Sequence, residues 1–417
     1  MRWMMALAVG PVAMATAVNG SDWPQWRGPT RDGRANDTSA ASVMLPKERA
    51  PLWKLQIGSG HSSPVVAGSR LVYLDENGTR EVAHAVDALT GKELWQRPFA
   101  ARFQDEWGAG PRSTPLMDEE RVYVQSCDGE FLCLSLKDGS ILWQTSFAKD
   151  FNVKFLGSKA NEGTATRRGN NGSGVIDGGR IVLPVGNTNG ASLVCFDKLT
   201  GKTIWKSGSD EAAYSSFMAA TLGGVRQVVA FTADALLGAD IESGKILWRV
   251  PLKTNAKRHA ASPLIFDDHV VVNSHSVGLL CFHIQRDTGG WQAEPAWANT
   301  DLKINLATPV LVNGHLYCQG AERDYVCVDA KTGRTKWSQA GFGLGKKDYS
   351  STIVLGGERL LVLTEDGTLL LLAATPERYT EVARLQVCGN TWSHPAYVDG
   401  RLYIRDARSL FCLPLVR

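Results

Sequence analysis

The chain has 417 residues, of which 44% are hydrophobic and 21% are charged, and its formal net charge is only +3. A charge so close to balance argues against a general surface for nucleic acid or another polyanion, and no nucleic-acid-reading motif appears. The 42 glycines and 13 tryptophans indicate many turns and a recurring aromatic position, which is typical of an all-β repeat protein.

The first twenty residues have the pattern of a secretory signal peptide. Arg2 precedes an apolar stretch from Trp3 to Ala17, and small residues at its end suit cleavage. The stretch is too short for a membrane span, and Gly10-Pro11 interrupts it. We predict a signal peptide at 1–20, an N-terminal extension at 21–50 and one β domain at 51–417. The mature protein is expected to be a monomer without a transmembrane segment, in the periplasm or outside the cell.

One sequence ending recurs along the chain. It has the form D-x-x-T/S-G-K/R-x-x-W in Asp87–Trp95, Asp197–Trp205, Asp240–Trp248 and Asp329–Trp337, with a variant in Ser135–Trp143 and a degenerate copy that ends at Trp297. Each ending follows short apolar runs that are separated by Asn-Gly, Asp-Gly or Gly-Gly dipeptides, and such dipeptides favour β-hairpins. The repeating unit is therefore predicted to be four antiparallel strands, the size of a propeller blade.

Eight such units can be counted from their first strands. They begin near Ser62, Ser113, Gly172, Ser215, Ala261, Ala307, Ser350 and Ser393. The last unit lacks a Trp strand of its own, whereas Trp53 lies in a Trp strand that no unit precedes. We predict an eight-bladed β-propeller whose N-terminal strand completes the last blade and closes the ring, which removes open sheet edges.

Five of the eight cysteines occupy one equivalent position, in the third strand of a unit. These are Cys133, Cys195, Cys281, Cys327 and Cys412. Equivalent positions in different blades do not meet, so we expect buried small residues rather than disulfides. The pattern leaves open the redox state of Cys127, Cys318 and Cys388.

The recurring endings resemble repeats of the pyrroloquinoline-quinone (PQQ) type, over about residues 51–417. Quinoprotein alcohol dehydrogenases and BamB-like scaffold proteins share these repeats, within the WD40/quinoprotein-like superfamily. The segments Trp23–Pro29 and Gly108–Pro115 also resemble exported PQQ-like propellers of planctomycete type. The resemblance implies the propeller fold strongly and function weakly. The tryptophans of the endings are expected to pack between adjacent blades: Trp53, Trp95, Trp143, Trp205, Trp248, Trp297 and Trp337.

The residues just before each first strand are predicted to surround one mouth of the central channel. Most of them are polar or aromatic, which is the composition expected of a binding pocket. The candidate ligand-binding residues are His61, Arg112, Asn171, Tyr214, His259, Asn305, Tyr349 and Trp392. Two alternatives stay open: these groups satisfy backbone polar groups at a crowded hub, and Arg112 forms a salt bridge with Asp105 or Glu106. The long segment Gly157–Asn171 is a further candidate, for function or as a solvated insertion.

Two functions are consistent with the sequence. The first is a non-catalytic exported scaffold of the BamB-like class that binds a protein or small ligand and needs no cofactor or metal. The second is a PQQ-dependent oxidoreductase of alcohols or sugars, which the resemblance implies would need PQQ with calcium, an Asp base and usually a Cys-Cys pair. The chain has no Cys-Cys pair, and the predicted mouth positions contain no Asp or Glu. We therefore favour the scaffold and assign no catalytic residue.

Overall fold

The computed structural model describes residues 22–154, 169–252, 254, 257–342 and 349–416, and these form eight four-stranded antiparallel sheets. This arrangement confirms the predicted eight-bladed β-propeller. The predicted signal peptide lies outside the described residues, as do Lys159, Glu162, Arg167 and Arg168 of the long segment. No helix among the described residues is long and apolar enough to cross a membrane.

The strands follow each other in chain order, and each blade takes four of them. The N-terminal strand is β1 (Trp53–Gln56). Blade 1 comprises β2 (Val65–Ala67), β3 (Arg70–Asn77), β4 (Arg80–Asp87) and β5 (Glu93–Ala101). A short hairpin follows, β6 (Gln104–Asp105) and β7 (Gly108–Ala109). Blade 2 comprises β8 (Leu116–Asp118), β9 (Arg121–Gln125), β10 (Glu130–Ser135) and β11 (Ile141–Ser146), and the helix α1 (Phe147–Phe151) comes after it. Blade 3 comprises β12 (Val175–Asp177), β13 (Arg180–Leu183), β14 (Leu193–Asp197) and β15 (Thr203–Ser207).

The remaining blades repeat this order. Blade 4 comprises β16 (Met218–Leu222), β17 (Val225–Phe231), β18 (Ala235–Asp240) and β19 (Ile246–Pro251). Blade 5 comprises β20 (Leu264–Phe266), β21 (His269–Ser274), β22 (Gly278–Asp287) and β23 (Gly290–Asn299). Blade 6 comprises β24 (Val310–Val312), β25 (His315–Gln319), β26 (Asp324–Asp329) and β27 (Thr335–Ala340). Blade 7 comprises β28 (Ser350–Leu355), β29 (Arg359–Thr364), β30 (Thr368–Ala373) and β31 (Glu381–Gln386), and blade 8 comprises β32 (Ala396–Val398), β33 (Arg401–Arg405), β34 (Ser409–Pro414) and β1.

The ring closes as predicted, between the N-terminal and the last strand. β1 pairs antiparallel with β34, with Trp53 opposite Cys412. First strands of neighbouring blades contact each other, including β2 with β8 and β32 with β2. The first strands therefore surround the central channel, and the fourth strands form the outer wall.

The recurring ending has a local structural explanation in its Asp and Gly. Asp87 Oδ1 accepts hydrogen bonds from the backbone N–H of Leu89 and Thr90 and from the Thr90 hydroxyl, which folds the chain into a tight turn. Gly91 then takes a φ of +71°, where a residue with a Cβ is strained. The same bonds recur at Asp197, Asp240 and Asp329.

Six of the seven Trp residues of these endings lie against the turn of the next blade. Trp53 Nε1 donates to Ala88 O at 3.0 Å, and Trp95 Nε1 donates to Leu136 O at 3.0 Å. The equivalent bonds of the other blades run from Trp143 to Lys198, from Trp205 to Ile241, from Trp297 to Ala330 and from Trp337 to Thr375. Trp248 differs, since its Nε1 donates to Gln227 Oε1 within its own blade.

The residue paired with each Trp on the neighbouring strand is small, and the structure explains why. The Cα partners of Trp143, Trp205, Trp297, Trp337 and Trp53 are the five equivalent cysteines. In blade 4 the partner is Gly238, where an added Cβ would collide with the Trp248 ring. All eight cysteines are buried and unpaired, so these positions supply small apolar side chains beneath an indole.

A substitution of Gly244 tests the contact between the turn and the indole. Gly244 has a φ of +73°, and an added Cβ would lie 2.5 Å from the Trp205 ring. We expect Gly244→Ala to lower the free energy of unfolding by about 2–4 kcal/mol, because backbone strain and a steric clash add. The matched control is Gly224→Ala, with a similar φ of +76° but no neighbour within 4 Å, which should cost about 1 kcal/mol. Equal losses in urea denaturation would contradict the role of the indole.

The N-terminal segment, residues 22–44, crosses the central channel. Trp23 exchanges backbone hydrogen bonds with Val66 of blade 1, and Pro24 O accepts from Met117 N of blade 2. On the far side of the ring, Trp26 Nε1 donates to Ser262 Oγ at 3.1 Å, just before blade 5. A segment that touches opposite blades at their first strands must fill the channel between them.

Two buried arginines fix this segment, which we call the plug. Arg27 and Arg31 are each only 2% exposed. Arg27 donates to Pro309 O before blade 6 at 2.6 Å, and Arg31 donates to Gly174 O before blade 3 at 2.9 Å. Burial lowers the pKa of Arg27 to about 10 and that of Arg31 to about 9, so both stay charged at pH 7. Their guanidinium groups bind main-chain carbonyls that would otherwise be buried without partners.

Candidate functional site at the channel mouth

The loops before the first strands are tied to one another by side-chain hydroxyls. Thr114 N donates to Ser173 Oγ at 3.0 Å, and Ser173 N donates to Ser216 Oγ at 3.0 Å. Ser262 N and Thr308 Oγ1 form the same bond between blades 5 and 6. The Ser/Thr-Pro openings of the repeats therefore have a structural role. A residue before Pro favours an extended conformation, and these Ser and Thr residues link successive blades around one end of the channel.

The side chains that precede these loops surround a pocket with an empty volume of about 560 Å³. Six of the predicted residues lie in its wall: His61, Arg112, Asn171, Tyr214, Asn305 and Trp392. Trp107, Arg258, Ala260 and Leu306 complete the lining. We call this the mouth pocket. Below it, Trp26 of the plug and Tyr349 join the wall, so the plug forms the floor and the pocket is blind.

Arg112 is held by Asp105, one of the two partners that the sequence suggested. Arg112 Nη1 donates to Asp105 Oδ2 at 2.8 Å, and Nη2 donates to Oδ1. The two side chains are 10% and 0% exposed, and the guanidinium also lies 5.1 Å from the centre of the Phe103 ring. Burial lowers the pKa of Arg112 and the hydrogen bonds of Asp105 raise it, and the raising effects win. The pair is therefore a fixed, charge-compensated part of the wall.

His61 and Trp392 form an aromatic side of the pocket. Their ring centres are 5.2 Å apart, and Trp107 lies 5.9 Å from Trp392. His61 Nε2 lies 3.1 Å from Trp107 O, which places the proton on Nε2. Burial, together with the charge of Arg112, lowers the pKa of His61 to about 4, so the imidazole is neutral at pH 7.

Two predicted residues lie elsewhere. Tyr349 is 6% exposed and lies in the deeper layer beside Trp26. His259 is fully buried behind the loop, where its ring stacks on Phe231 at 4.1 Å and its Nδ1 lies 2.7 Å from Thr232 O. The neighbours Arg258 and Ala260 face the pocket instead, because adjacent residues of an extended segment point to opposite sides.

Trp107, Arg258 and Trp26 were missed by reasoning from the repeats. Trp107 lies at the tip of the β6–β7 hairpin, where its backbone N–H donates to Asp105 Oδ1 at 2.8 Å. That hairpin is an insertion between blades 1 and 2, outside the aligned repeat. The available signal was the pair of tryptophans in Trp23–Pro29, since two indoles in a short polar extension suggest burial.

The histidines near the channel do not meet at one point. His394 Nδ1 lies 2.8 Å from Pro395 O, and its ring packs against Trp23 and Trp26, away from His61 and His259. Within the described ranges, no group of three or more His, Cys, Asp or Glu side chains is placed to hold a metal ion.

The buried histidines predict a loss of stability in mild acid. Burial lowers the pKa of His259 and of His394 to about 4, whereas an unfolded histidine has a pKa near 6.5. The unfolded chain therefore takes up more protons below pH 6.5, and stability falls between pH 6.5 and 4 by about 3 kcal/mol for each group. Urea denaturation across this range should show a shallower pH slope for His259→Gln than for the wild type. An unchanged slope for His259→Gln would contradict the assignment.

The chain matches a known protein family over most of its length. The family described as outer membrane protein assembly factor BamB matches residues 38–162, 78–302 and 284–376. The outer membrane protein assembly factor BamB of Yersinia pestis is 24% identical to this chain, in an alignment that covers 76% of this chain and 87% of that protein.

Solved structures show the same fold. BamB from Moraxella catarrhalis superposes with a TM-score of 0.56 at 14% identity, covering 87% of this chain and 98% of the other. The quinohemoprotein alcohol dehydrogenase ADHIIG from Pseudomonas putida superposes with a TM-score of 0.61 at 11% identity, covering 95% of this chain and 80% of the other. The structural likeness thus extends to BamB and to an alcohol dehydrogenase, so it shows the fold and does not separate the two functions.

Proposed function

Since this chain belongs to the family of the outer membrane protein assembly factor BamB, we propose that it is a non-catalytic binding scaffold of the cell envelope. In this proposal the chain is exported, acts as a monomer without a cofactor, and receives a segment of a protein partner in its mouth pocket. A small ligand in the same pocket is the second possibility. The relative's name associates it with the assembly of outer membrane proteins, and the partner is proposed to come from that class.

The observation that carries the proposal is the construction of the mouth pocket. It is blind, it is walled by indoles, amides and a neutral imidazole, and its charged pair of Arg112 and Asp105 is already neutralised. Polar side chains of fixed orientation around an apolar surface are what specific binding requires. Asn171 and Asn305 line the pocket, and their buried Oδ1 atoms accept no hydrogen bond from the described residues.

The residues of the pocket do not fit the calcium and quinone of the alternative function. Calcium takes oxygen ligands, with carboxylates prominent among them. Among the described residues the wall of the mouth pocket contributes two guanidinium groups and no carboxylate. Asp105, a carboxylate behind the wall, has both oxygens bound to Arg112. The eight cysteines are separate and buried, so no pair of vicinal thiols faces the pocket.

Photo-cross-linking in the native envelope tests the proposed function. A benzophenone amino acid is introduced at Leu306, in the wall of the mouth pocket, and as a matched control at Lys336, exposed on the outer strand β27. We expect a discrete cross-linked protein from position 306 and none from position 336. The same product from both positions, or from neither, would overturn the proposal. Turnover of alcohols or sugars by purified protein supplied with PQQ and calcium would replace it with the oxidoreductase.

A further inference from the structure

A second cavity opens beside the mouth pocket, above blades 8 and 1. Its empty volume is about 900 Å³. Its walls come from the loop at Ser59–His61, the tip of the β6–β7 hairpin, and the loops that carry Glu365, Trp392 and Asp406. We call it the lateral pocket. It shares His61, Trp107 and Trp392 with the mouth pocket. The rings of these three residues therefore form a wall between the two cavities.

The shared side of the lateral pocket is an aromatic surface. The ring centre of Trp392 lies 5.2 Å from that of His61 and 5.9 Å from that of Trp107. Trp392 is held in place because its Nε1 donates to Glu365 Oε1 at 2.9 Å. Indole faces carry negative electrostatic potential, and they attract organic cations more strongly than the other aromatic side chains do.

The rest of the lining is acidic. Glu106, Glu365 and Asp406 line the cavity, and no Lys or Arg does so in the part of the chain that the structure describes. Among the described residues, Asp406 accepts hydrogen bonds from the backbone N–H groups of Gly389, Arg408 and Ser409, and its carboxylate also interacts electrostatically with the buried Arg405 behind the wall.

Two cations lie behind the walls, and both are engaged. Arg405 lies beneath Gly60, where it is 1% exposed and donates to Ser62 O, Leu74 O and Gly58 O. Arg112 lies beyond His61 and is paired with Asp105. Neither guanidinium faces the cavity, so a ligand there meets carboxylates and π faces.

We propose that the lateral pocket binds an organic cation, an ammonium or guanidinium group. A cation stacked on Trp107 and Trp392 would be surrounded by the three carboxylates, and both attractions are strengthened by the partial exclusion of water. The described His, Asp and Glu side chains do not converge as metal ligands, so the geometry favours a large, diffuse cation over a metal ion. This inference rests on the proposed function for one source of the cation, a Lys or Arg side chain of the partner, but the site itself does not depend on it.

Titration of the purified full chain tests the site. The probes are a capped Gly-Arg-Gly peptide, the same peptide with neutral citrulline, and methylguanidinium as a free small cation, with calorimetry as the readout. We expect the arginine peptide to bind about tenfold or more tightly than the citrulline peptide, and to weaken as salt rises. Glu365→Gln and Asp406→Asn preserve shape and should each weaken binding of the arginine peptide by about three- to tenfold. Glu294→Gln, exposed on β23 of blade 5, is the matched control and should bind as the wild type does.

The outcomes separate this inference from the proposed function. An arginine peptide that binds more tightly than methylguanidinium supports a polypeptide source, and equal affinities support a free amine. Equal binding of the arginine and citrulline peptides, or binding that neither carboxamide variant weakens, would overturn the cation site. The absence of any binding would overturn it as well. If the cation site is overturned in this way, a partner cross-linked at position 306 would still support the scaffold function. Cation binding without a cross-linked partner would support the cation site but not the scaffold function.

Discussion

Replacement of Trp23 by Ala should lower the free energy of unfolding by about 3–5 kcal/mol, the range for a large aromatic side chain removed from a core. Trp23 is 2% exposed, stacks on His394, and exchanges two backbone hydrogen bonds with Val66. Its ring also lies over Gly28, where an added Cβ would be 3.0 Å from the indole. Loss of the ring leaves a cavity at the point where the plug meets blade 1.

The matched control for Trp23 is the same substitution at Trp291, which is half-buried on the hairpin of blade 5 and packs against Arg286. Trp291→Ala should cost clearly less, about 1–2 kcal/mol. Urea denaturation followed by circular dichroism measures both variants. If the two losses are the same, or if Trp23→Ala unfolds at the wild-type midpoint, the plug does not contribute to the stability of the ring.

Replacement of Arg112 by Ala should also cost about 3–5 kcal/mol, because Asp105 would be left as a buried charge without its partner. Asp105 is completely buried, and its two oxygens accept hydrogen bonds from Arg112. A loss of ligand binding in Arg112→Ala alone would therefore mix instability with a change in the pocket. The double variant Asp105→Ala/Arg112→Ala should lose less than the sum of the two single losses, since it leaves no buried charge.

The pair of Arg226 and Asp177 is the control for this cycle. Its side chains are 45% and 25% exposed, and exposed ion pairs contribute about 0–1 kcal/mol. Arg226→Ala should therefore change the free energy of unfolding by less than 1 kcal/mol. If Arg112→Ala lowers the free energy of unfolding no more than Arg226→Ala does, burial of the Arg112–Asp105 pair does not raise the cost of removing its arginine.

The ring of blades could be predicted from the sequence because its signals are local and repeated. The Asp of each ending accepts hydrogen bonds from the residues two and three positions further on. The Gly adopts a positive φ, and the Trp lies four residues after the Gly. Each of these requirements is satisfied within one turn, so the same letters recur in several blades. Ring closure followed from a missing Trp strand at one end and a surplus one at Trp53, and the pairing of β1 with β34 confirms it.

The plug could not be predicted from the repeats, since its contacts are long-range and have no period. Arg27 and Pro309 are 282 positions apart in the chain, and Trp26 and Ser262 are 236 apart. A buried arginine that binds carbonyl oxygens has no pattern in the sequence that separates it from an exposed one. The repeats begin after the extension at 21–50, so their pattern carries no information on the contacts that residues 23–31 make with the blades.

The position of the mouth pocket could be predicted from the sequence, but its detailed lining could not. Counting back from each first strand brought His61, Asn171 and Trp392 to one pocket. The same counting cannot decide which of two adjacent residues faces the channel, and for this reason His259 is buried behind the loop while Ala260 lines the pocket. Trp107 belongs to an inserted hairpin, so no alignment of repeats reaches it.

The structure of the complex captured from the envelope tests the central claim, that a blind pocket closed by the plug is the binding site. The account predicts density for the bound partner between Trp107 and Trp392, above Trp26, with residues 22–44 still in the channel. Density for the partner only on the outer strands, with the mouth pocket filled by solvent, would contradict it. So would a channel from which the plug has been displaced.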